Sequence, residues 1–364
     1  MRAWRIEAHG GSEVFKISEL PIPIPGPLEV RIKVQAVGLN HLDVWVRKGV
    51  PGHHFPLPLT PGSDIAGIID TSPGAFGAGA EQALNGPSNS LTKGLKAGSA
   101  IIVNPGTSCG HCKHCLGGFD PLCPEYGIFG ETRDGGCADY ICVPVANIIA
   151  RPSNVSAVEA AALQIPFLTA WSMLTRKAKL QPGESILIHA GGSGVSVAAI
   201  QMAKFLGAHV ITTVGHESKV AKAKALGADH VIEYRKTPFR AELKKILVVL
   251  KKKGVEVVID HVGADTFSES IKSLAWGGRL VTCGATSGSD VQIDLKAIFF
   301  KNISILGSTM GSKADLIQVV DLVSQEKFRA VIDSVHPMSK LPEALALIES
   351  RNIFGKVVVT SEAE

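Results

Sequence analysis

The sequence predicts an α/β protein in which a β-rich domain is followed by a domain built on a doubly wound parallel sheet. The chain has 364 residues, which is more than one hydrophobic core usually supports. Its first third contains short apolar runs separated by proline and glycine, as is typical of an all-β domain. From about residue 156 onwards, apolar strands alternate with helices, which is typical of a parallel sheet with helical crossovers.

The composition indicates a compact protein that binds small molecules. Hydrophobic residues make up 45% of the chain and charged residues 19%, which excludes a disordered chain. The net charge of +4 is too small to predict a nucleic-acid or membrane-surface partner. No signal peptide is recognisable, and no stretch reaches about 18 apolar residues without a charge. We therefore expect a cytoplasmic protein that acts on a small-molecule substrate.

The elements of the β-rich domain, residues 1–155, follow from their apolar runs. Strands are predicted over residues 15–20, 30–37, 65–69, 101–103 and 140–143. Residues 72–99 are rich in glycine, alanine, proline, serine and asparagine and show no hydrophobic period. This composition predicts a long surface loop.

The second domain is predicted over residues 156–310, and residues 311–364 are expected to return to the first domain. Its six strands are predicted over residues 185–189, 210–214, 230–232, 255–260, 279–283 and 303–308. Its helices are predicted over residues 159–163, 167–177, 195–206, 219–226, 239–252 and 267–274. The returning segment reads as helices 315–324 and 341–349 and a strand 356–360. Six short apolar strands separated by helices predict a doubly wound parallel sheet.

A glycine-rich turn connects the first strand of this sheet to its helix and predicts a dinucleotide site. Glycine lets the backbone approach a pyrophosphate, and a helix N-terminus carries about half a positive charge. The predicted contacts are Gly191, Gly192, Ser193, Gly194 and Val195. Ser193 and Ser196 stand where the G-x-G-x-x-G pattern has its second and third glycines. A tight turn that binds no ligand is the alternative.

The end of the second strand predicts which dinucleotide is bound. NAD-specific sites carry a carboxylate there, about 20 residues after the glycine-rich turn. Here Gly215 is followed by His216 and, a little further on, by Lys219, which favours the 2′-phosphate of NADP(H). Glu217 could instead be a displaced acid, which would favour NAD(H).

The spacing of four cysteines predicts a metal centre. They are Cys109, Cys112, Cys115 and Cys123. Four thiolates on a short loop can form a closed tetrahedral shell around zinc, and a closed shell makes that zinc structural. A metal-free loop and an iron–sulfur cluster are the alternatives. The chain contains seven cysteines, and this clustering indicates metal binding in a reducing compartment rather than a disulfide framework.

Together these motifs resemble the medium-chain dehydrogenase/reductase superfamily. The resemblance covers essentially the whole chain and includes the segments Pro61-Gly62-Ser63-Asp64-Ile65-Ala66-Gly67 and Phe354-Gly355-Lys356-Val357-Val358. It implies a GroES-like catalytic domain built from both ends of the chain, a Rossmann domain between them, and an active site in the cleft.

The resemblance also implies that a catalytic zinc is absent. Zinc alcohol dehydrogenases of this superfamily bind that metal with a cysteine, the histidine and glutamate of a G-H-E segment, and often a second cysteine. The corresponding residues here are Asn40, Ser63, Asp64 and Ile165, which are poor zinc ligands. A site rebuilt from other side chains would have to use His41, His53 or His54.

The residues at these positions resemble instead the quinone oxidoreductase branch, although that branch commonly lacks the four-cysteine loop. Asn40, Asp43 and Thr169 match its nicotinamide pocket, and Lys219 and Tyr234 match its 2′-phosphate contacts. The cofactor-binding set predicted in the second domain, beyond the glycine-rich turn, is therefore Gly215, His216, Lys219, Tyr234 and Gly284.

The predicted function is NADPH-dependent reduction of an activated carbonyl compound, such as a quinone or an enone, by hydride transfer. Two alternatives remain open: a zinc-dependent NAD(P) alcohol dehydrogenase with an atypical metal shell, and a non-catalytic NADPH-binding sensor or structural protein. The resemblance also implies a homodimer or homotetramer, in which the strand at residues 303–308 extends the sheet.

Overall fold

The computed structural model describes residues 1–85 and 94–361, and its chain divides into two compact units. The first unit comprises Met1–Ile165 and Ser312–Glu364, and the second comprises Pro166–Gly311. The first unit is built on an antiparallel-rich sheet and the second on a parallel sheet, so the predicted α/β fold class is confirmed. The division between the units falls inside a helix, about ten residues later than the sequence-based boundary.

The strands and helices of the described residues have the following bounds. The strands are β1 Arg2–Ile6, β2 Phe15–Glu19, β3 Glu29–Gly38, β4 Asp64–Ile69, β5 Ala100–Val103, β6 Gly106–Thr107, β7 Gly127–Ile128, β8 Tyr140–Pro144, β9 Ile148–Ala150, β10 Ser185–Ile188, β11 His209–Val214, β12 His230–Glu233, β13 Val255–Ile259, β14 Leu274–Thr282, β15 Ser304–Gly307, β16 Ile332–Pro337 and β17 Lys356–Thr360. The α-helices are α1 His41–Lys48, α2 Ala80–Asn85, α3 Lys113–Leu116, α4 Ala157–Trp171, α5 Gly194–Phe205, α6 Val220–Ala225, α7 Phe239–Val249, α8 Phe267–Ser273, α9 Leu295–Lys301, α10 Lys313–Ser324 and α11 Leu341–Ser350.

The main sheet of the first unit combines strands from both ends of the chain. Its order is β16-β17-β3-β4-β5-β9, and β8 also pairs with β3. The C-terminal strand β17 runs antiparallel to β3, so the C-terminal segment packs onto the N-terminal one. Strand β16, which pairs in parallel with β17, is not among the predicted strands. Its residues alternate between partly buried and exposed, so it has no continuous apolar run.

The sheet of the second unit is parallel throughout and has the order β12-β11-β10-β13-β14-β15. This is the order of a doubly wound dinucleotide-binding sheet. The strand order reverses between β10 and β13, and ligands of such sheets bind beyond the carboxyl ends of the strands at that point. Helix α9 was not predicted, and none of its residues is buried, so it has no apolar face of the kind that indicates a helix packed on a core.

The prediction of a loop over residues 72–99 is wrong in part. This segment contains α2, whose Ala80 and Leu84 are fully buried in the core of the first unit. A helix of this length needs only two apolar residues to bury one face, which leaves no detectable hydrophobic period. Residues 86–93 of the predicted loop lie outside the described residues.

The two helices predicted over residues 159–163 and 167–177 form one continuous helix. Helix α4 passes through Pro166 and continues as a π-helical turn, Ser172–Lys177. The backbone N–H of Ile165 donates to Asp64 Oδ1 over 2.9 Å, so the helical ladder is already open just before the proline. The combined helix, Ala157–Lys177, is long and apolar enough to cross a membrane, but 78% of its most apolar window is buried inside the protein. This burial is typical of a core helix.

Gly38 at the end of β3 packs against the backbone of α4. A Cβ atom at Gly38 would lie 2.0 Å from the carbonyl oxygen of Ala161, whereas one at Gly307 would have no atom within 4 Å. We expect Gly38→Ala to lower the free energy of unfolding by roughly 2–3 kcal/mol, because overpacking displaces backbone. The control Gly307→Ala should change it by less than about 1 kcal/mol. Urea denaturation measures both variants, and equal midpoints would contradict the close packing.

Candidate functional site

A buried cation lies where β3, β4 and β17 meet in the first unit. Lys356 is 3% exposed, and its Nζ donates to Leu39 O and to Asn40 Oδ1 over 2.6 Å each, and to Asp64 Oδ2 over 3.0 Å. An ammonium group has three N–H donors, so these acceptors use all of them. We call Lys356, Asn40, Asp64 and the adjacent Asp43 the lysine cluster.

Asn40 makes a hydrogen bond with every polar atom of its side chain. Its Oδ1 accepts from Lys356, and its Nδ2 donates to Asp64 Oδ2 over 2.9 Å and to Gly38 O over 3.3 Å. The second of these two bonds is the longest in the lysine cluster. The Nδ2–H that faces Gly38 is therefore the one that Asn40 can give up most easily to a ligand.

Asp43 holds two backbone segments together. Its Oδ2 accepts from the backbone N–H of Asn40 over 2.7 Å, and its Oδ1 accepts from Gly62 N–H over 2.9 Å. Burial raises the pKa of Asp43 to about 6, although these two bonds and the nearby charge of Lys356 favour the carboxylate. Asn40 and Asp43 form a capping box at the start of α1. This helix was not predicted, although the spacing of the two residues is a signal that could have indicated it.

The positions that correspond to zinc ligands do not form a metal shell. The side-chain oxygens of Asn40 and Asp64 face the ammonium of Lys356, which would repel a second cation. Ile165 contributes only a backbone N–H, and the buried Ser63 Oγ has no hydrogen-bond partner among the described residues. Both groups of candidate metal ligands in the described part of the chain lie at the four-cysteine loop, and neither includes His41, His53 or His54. A catalytic zinc therefore does not fit these residues.

Lys356 is the member of the lysine cluster for which no role was predicted. Lysine is almost never fully buried unless it is paired, and this one begins the apolar strand Lys356–Thr360. That isolated charge was the available signal. Its partners could not be found from spacing, because they lie at the opposite end of the chain.

In the second unit, the glycine-rich turn lies against β11 and leads into the N-terminus of α5. A Cβ atom at Gly191 would lie 2.4 Å from Thr212 Oγ1, so the turn packs directly against β11. Ser193 is the N-cap of α5, and its Oγ accepts from the N–H of Ser196 over 3.1 Å. The structure places Gly191, Gly192, Ser193, Gly194 and Val195 together at the turn and in the first residues of this helix. Backbone N–H groups at a helix N-terminus bind phosphate, so these residues fit the predicted cofactor.

The residues predicted to select the dinucleotide lie at the ends of β11 and β12. Gly215 follows β11, and a Cβ atom there would lie 2.8 Å from the hydroxyl oxygen of Tyr234. Glu217 forms an ion pair of 2.8 Å with Lys236, and the hydrogen bond from Lys236 lowers the pKa of Glu217. Lys236 also pairs with Glu233 over 2.9 Å, so this cation is shared between two carboxylates.

The remaining predicted residues occupy nearby ends of strands or lie on α4. His216 caps the turn after β11, with its Nδ1 2.8 Å from Ser218 Oγ, and Lys219 ends the short 3₁₀ helix that follows. Gly284 lies just beyond β14, where its carbonyl accepts from Thr282 Oγ1 over 3.1 Å. Thr169 is buried on α4.

The four predicted cysteines lie together in the geometry of a thiolate metal centre. Their Sγ atoms are separated by 3.5 Å for Cys109 and Cys123, 3.6 Å for Cys112 and Cys115, and 3.9 Å for Cys109 and Cys115. A tetrahedron with bonds of about 2.3 Å requires sulfur separations of about 3.8 Å. Backbone N–H groups of Cys112 and Glu125 also point at sulfur atoms. These four residues could hold zinc, and they would leave no coordination position for a substrate.

Comparisons with known proteins found dehydrogenase domains that match parts of both units. Residues 26–153 match the alcohol dehydrogenase GroES-like domain, and residues 194–325 match the zinc-binding dehydrogenase domain. A crystal structure described as an NAD-dependent alcohol dehydrogenase is 43% identical, covers all of both chains and has a TM-score of 0.90. Human quinone oxidoreductase is 28% identical over 99% of this chain and 97% of its own length. Acryloyl-coenzyme A reductase of Sulfurisphaera tokodaii is 30% identical over 96% of both.

The thiolate geometry predicts the metal content of the purified protein. We expect one zinc ion per chain, and we expect Cys112→Ser to lose it and to melt at a lower temperature, since a structural zinc contributes folding energy. Cys142→Ser, outside the four-cysteine loop, should keep the metal. Metal analysis by mass spectrometry and thermal melting provide the measurements. Two zinc ions per chain would contradict our interpretation of the lysine cluster.

The buried ion pair of the lysine cluster predicts a specific pattern of stability. Lys356→Met should lower the free energy of unfolding by about 3 kcal/mol, because it leaves the carboxylate of Asp64 buried without a cation. The double variant Asp64→Asn with Lys356→Met should recover part of this loss, because the unpaired charge is gone. Urea denaturation of the three proteins measures the effect. A double variant that is less stable than Lys356→Met would show that the two charges are not coupled in this way.

Proposed function

Since the chain belongs to the medium-chain dehydrogenase/reductase superfamily, we propose that it is an NADPH-dependent reductase of quinones or enones that uses no catalytic zinc. Its relatives establish that it is a pyridine-nucleotide-dependent oxidoreductase. The observation that carries the finer proposal is the lysine cluster, in which a lysine ammonium faces the oxygens that would otherwise be available to a metal.

The lysine cluster suits acceptors that need little activation. When bound, the reduced dinucleotide supplies a hydride to the substrate. Quinones and enones spread the resulting negative charge over a conjugated system, so a hydrogen bond is enough to stabilise it, whereas an isolated ketone gains more from a Lewis acid. The named activities of human quinone oxidoreductase and of acryloyl-coenzyme A reductase support this substrate class.

Asn40 is the proposed donor of that hydrogen bond. Its Oδ1 accepts from the ammonium of Lys356 over 2.6 Å, and a charged donor on the carbonyl side of an amide strengthens donation from its N–H groups. The Nδ2–H that faces Gly38 over 3.3 Å would turn to the developing oxyanion. Asp43 fixes the backbone of Asn40, and Thr169 is proposed to contact the nicotinamide.

The preference for NADPH is proposed from the end of β11. Gly215 offers no carboxylate at this position, and Glu217 is paired with Lys236. Lys219 and Tyr234 would contact the 2′-phosphate, with His216 beside them. The name of the structural relative that is 43% identical specifies NAD, so the preference requires a direct measurement.

The remaining proposals concern the metal, the assembly and the compartment. We propose one structural zinc on Cys109, Cys112, Cys115 and Cys123. We propose a cytoplasmic homodimer or homotetramer in which β15, at the edge of the parallel sheet, pairs with its copy. Large apolar side chains near this edge are exposed in the single chain: Trp276, Leu295, Phe299 and Phe300.

The substrate class is tested by following NADPH oxidation with two panels of acceptors. We expect turnover with benzoquinones, naphthoquinones and cyclic enones, and rates at least about 100-fold lower with isolated ketones, a difference of about 2.7 kcal/mol in barrier. Rapid oxidation of alcohols that a metal chelator abolishes within seconds would favour a zinc alcohol dehydrogenase. Tight cofactor binding without turnover of any acceptor would favour a sensor.

The cofactor preference is tested by comparing kcat/KM for NADPH and NADH. We expect NADPH to be favoured by at least about tenfold, and Lys219→Met to remove most of this preference by weakening NADPH alone, since a charge-assisted hydrogen bond contributes about 1.5–3 kcal/mol. Glu217→Gln is the matched control. It should leave both values unchanged if the carboxylate does not bind the ribose. A loss of NADH activity in this variant would identify Glu217 as the acid of an NAD site.

A further inference from the structure

A buried histidine lies directly beneath the two serines that replace glycines in the dinucleotide turn. His261 follows Asp260 beyond the end of β13 and is 7% exposed. Its Nε2 is 2.9 Å from Ser196 Oγ and 3.2 Å from Ser193 Oγ. His261 is not among the site residues predicted from the sequence, because nothing in its local sequence indicates a contact with the turn.

The hydrogen bonds of Ser196 determine which nitrogen of His261 carries a proton. Ser196 Oγ lies 2.6 Å from the carbonyl oxygen of His189. A carbonyl has no proton to give, so the hydroxyl of Ser196 must donate to it. That proton is then unavailable to His261, and the 2.9 Å contact requires Nε2–H of His261 to donate to Ser196. Burial lowers the pKa of His261, which favours a neutral ring with this single proton.

This tautomer allows Ser193 to turn its hydroxyl proton towards a ligand. Ser193 Oγ accepts from the backbone N–H of Ser196 over 3.1 Å and donates its own proton to Ser196 Oγ over 3.0 Å. Ser196 Oγ keeps the hydrogen bond from His261 when the hydroxyl of Ser193 turns to a phosphate oxygen, so the proton of Ser193 can be exchanged without leaving Ser196 Oγ unpaired. Ser193 is partly exposed at the N-terminus of α5, where a phosphate would bind.

We propose that His261 is a positioning residue for cofactor binding: its Nε2–H holds Ser196 and Ser193 so that the hydroxyl of Ser193 donates to the pyrophosphate. In a turn of the glycine pattern, only backbone N–H groups are available to the pyrophosphate. The serines thereby add a side-chain hydrogen-bond donor. His261 touches neither the cofactor nor the substrate in this role.

The loop that carries His261 is held rigidly enough for this role. Asp260 is fully buried, and its Oδ1 accepts from the N–H groups of Val262 and Gly263 over 3.0 and 3.2 Å and from Thr266 Oγ1 over 2.9 Å. These bonds fix the backbone on the C-terminal side of His261. On the N-terminal side, β13 pairs with β10, the strand that leads into the turn. His261 and Ser193 are therefore attached to adjacent strands of one sheet.

The proposal is tested by dissociation constants for NADPH or NADH, whichever binds more tightly, measured by nicotinamide fluorescence. We expect His261→Leu and Ser193→Ala each to weaken binding about tenfold, which corresponds to about 1.4 kcal/mol. Ser193→Thr and His261→Gln keep a hydroxyl and an N–H donor, respectively, and should stay within about threefold of the parent. The double variant of His261→Leu and Ser193→Ala should bind no more weakly than Ser193→Ala, because both changes remove the same interaction.

Two further measurements distinguish positioning from a general defect of the fold. Adenosine has no pyrophosphate and is common to both dinucleotides, so its inhibition constant should be the same for His261→Leu as for the parent protein. Long-range ¹H–¹⁵N spectra should show a neutral Nε2–H ring that disappears in His261→Gln. The proposal would be overturned if His261→Leu weakened the binding of both ligands equally, or if the losses of affinity in the double variant multiplied. An Nδ1–H tautomer of His261 would also overturn it. These are binding and tautomer measurements, so their outcome is separate from that of the quinone and enone assay.

Discussion

Lys356 begins the last strand of the chain, and its ammonium is buried against the end of β3 and the start of β4. Removing a charge from water costs several kcal/mol, so a buried lysine persists only with good partners. Here it has a carboxylate, an amide oxygen and a backbone carbonyl. The other oxygen of the same carboxylate accepts the N–H of Ile165, which places Pro166 where the helical ladder is already open. One buried charge pair therefore sets both the orientation of Asn40 and the path of α4.

An ammonium and a zinc ion are both cations, yet they support different chemistry. Zinc with an open coordination position binds a substrate oxygen directly. The ammonium of Lys356 has all three N–H groups occupied, so in the proposed function it would act on a ligand only through the polarised amide of Asn40. The four-cysteine loop is different, because its sulfur atoms already have the separations of a metal shell. Membership in a zinc-binding family is thus compatible with this chain. It has the four-cysteine loop of one zinc site, and the ammonium of Lys356 lies where the residues corresponding to catalytic zinc ligands meet.

Features that depend on short spacing could be predicted from the sequence, and features that depend on distant contacts could not. The strands of the parallel sheet, the glycine-rich turn and the four cysteines each lie within a few residues of the pattern that indicates them. Lys356 and Asp64 are paired by sheet topology alone. The same holds for His261, which meets Ser193 only because β10 and β13 are neighbours. Pro166 led to the prediction of two helices in place of α4. The carboxylate that accepts the N–H group of the preceding residue belongs to β4, which is distant in the sequence.

The polar groups at the carboxyl ends of the central strands form hydrogen-bond chains with a fixed direction. His261 donates to Ser196, which donates to the carbonyl of His189. The ring of His189 belongs to a second series of hydrogen bonds. The hydroxyl of Ser270 donates its proton to Asp260 over 2.7 Å, so the hydroxyl oxygen of Ser270 must accept from Nε2–H of His189 at 2.9 Å. Burial lowers the pKa of His189 to about 4, so its Nδ1 accepts from Thr213. Because each chain ends at a group that can only accept, the direction of every bond is determined. In this turn, the buried hydroxyl of Ser196 therefore has both a donor, His261, and an acceptor, the carbonyl of His189.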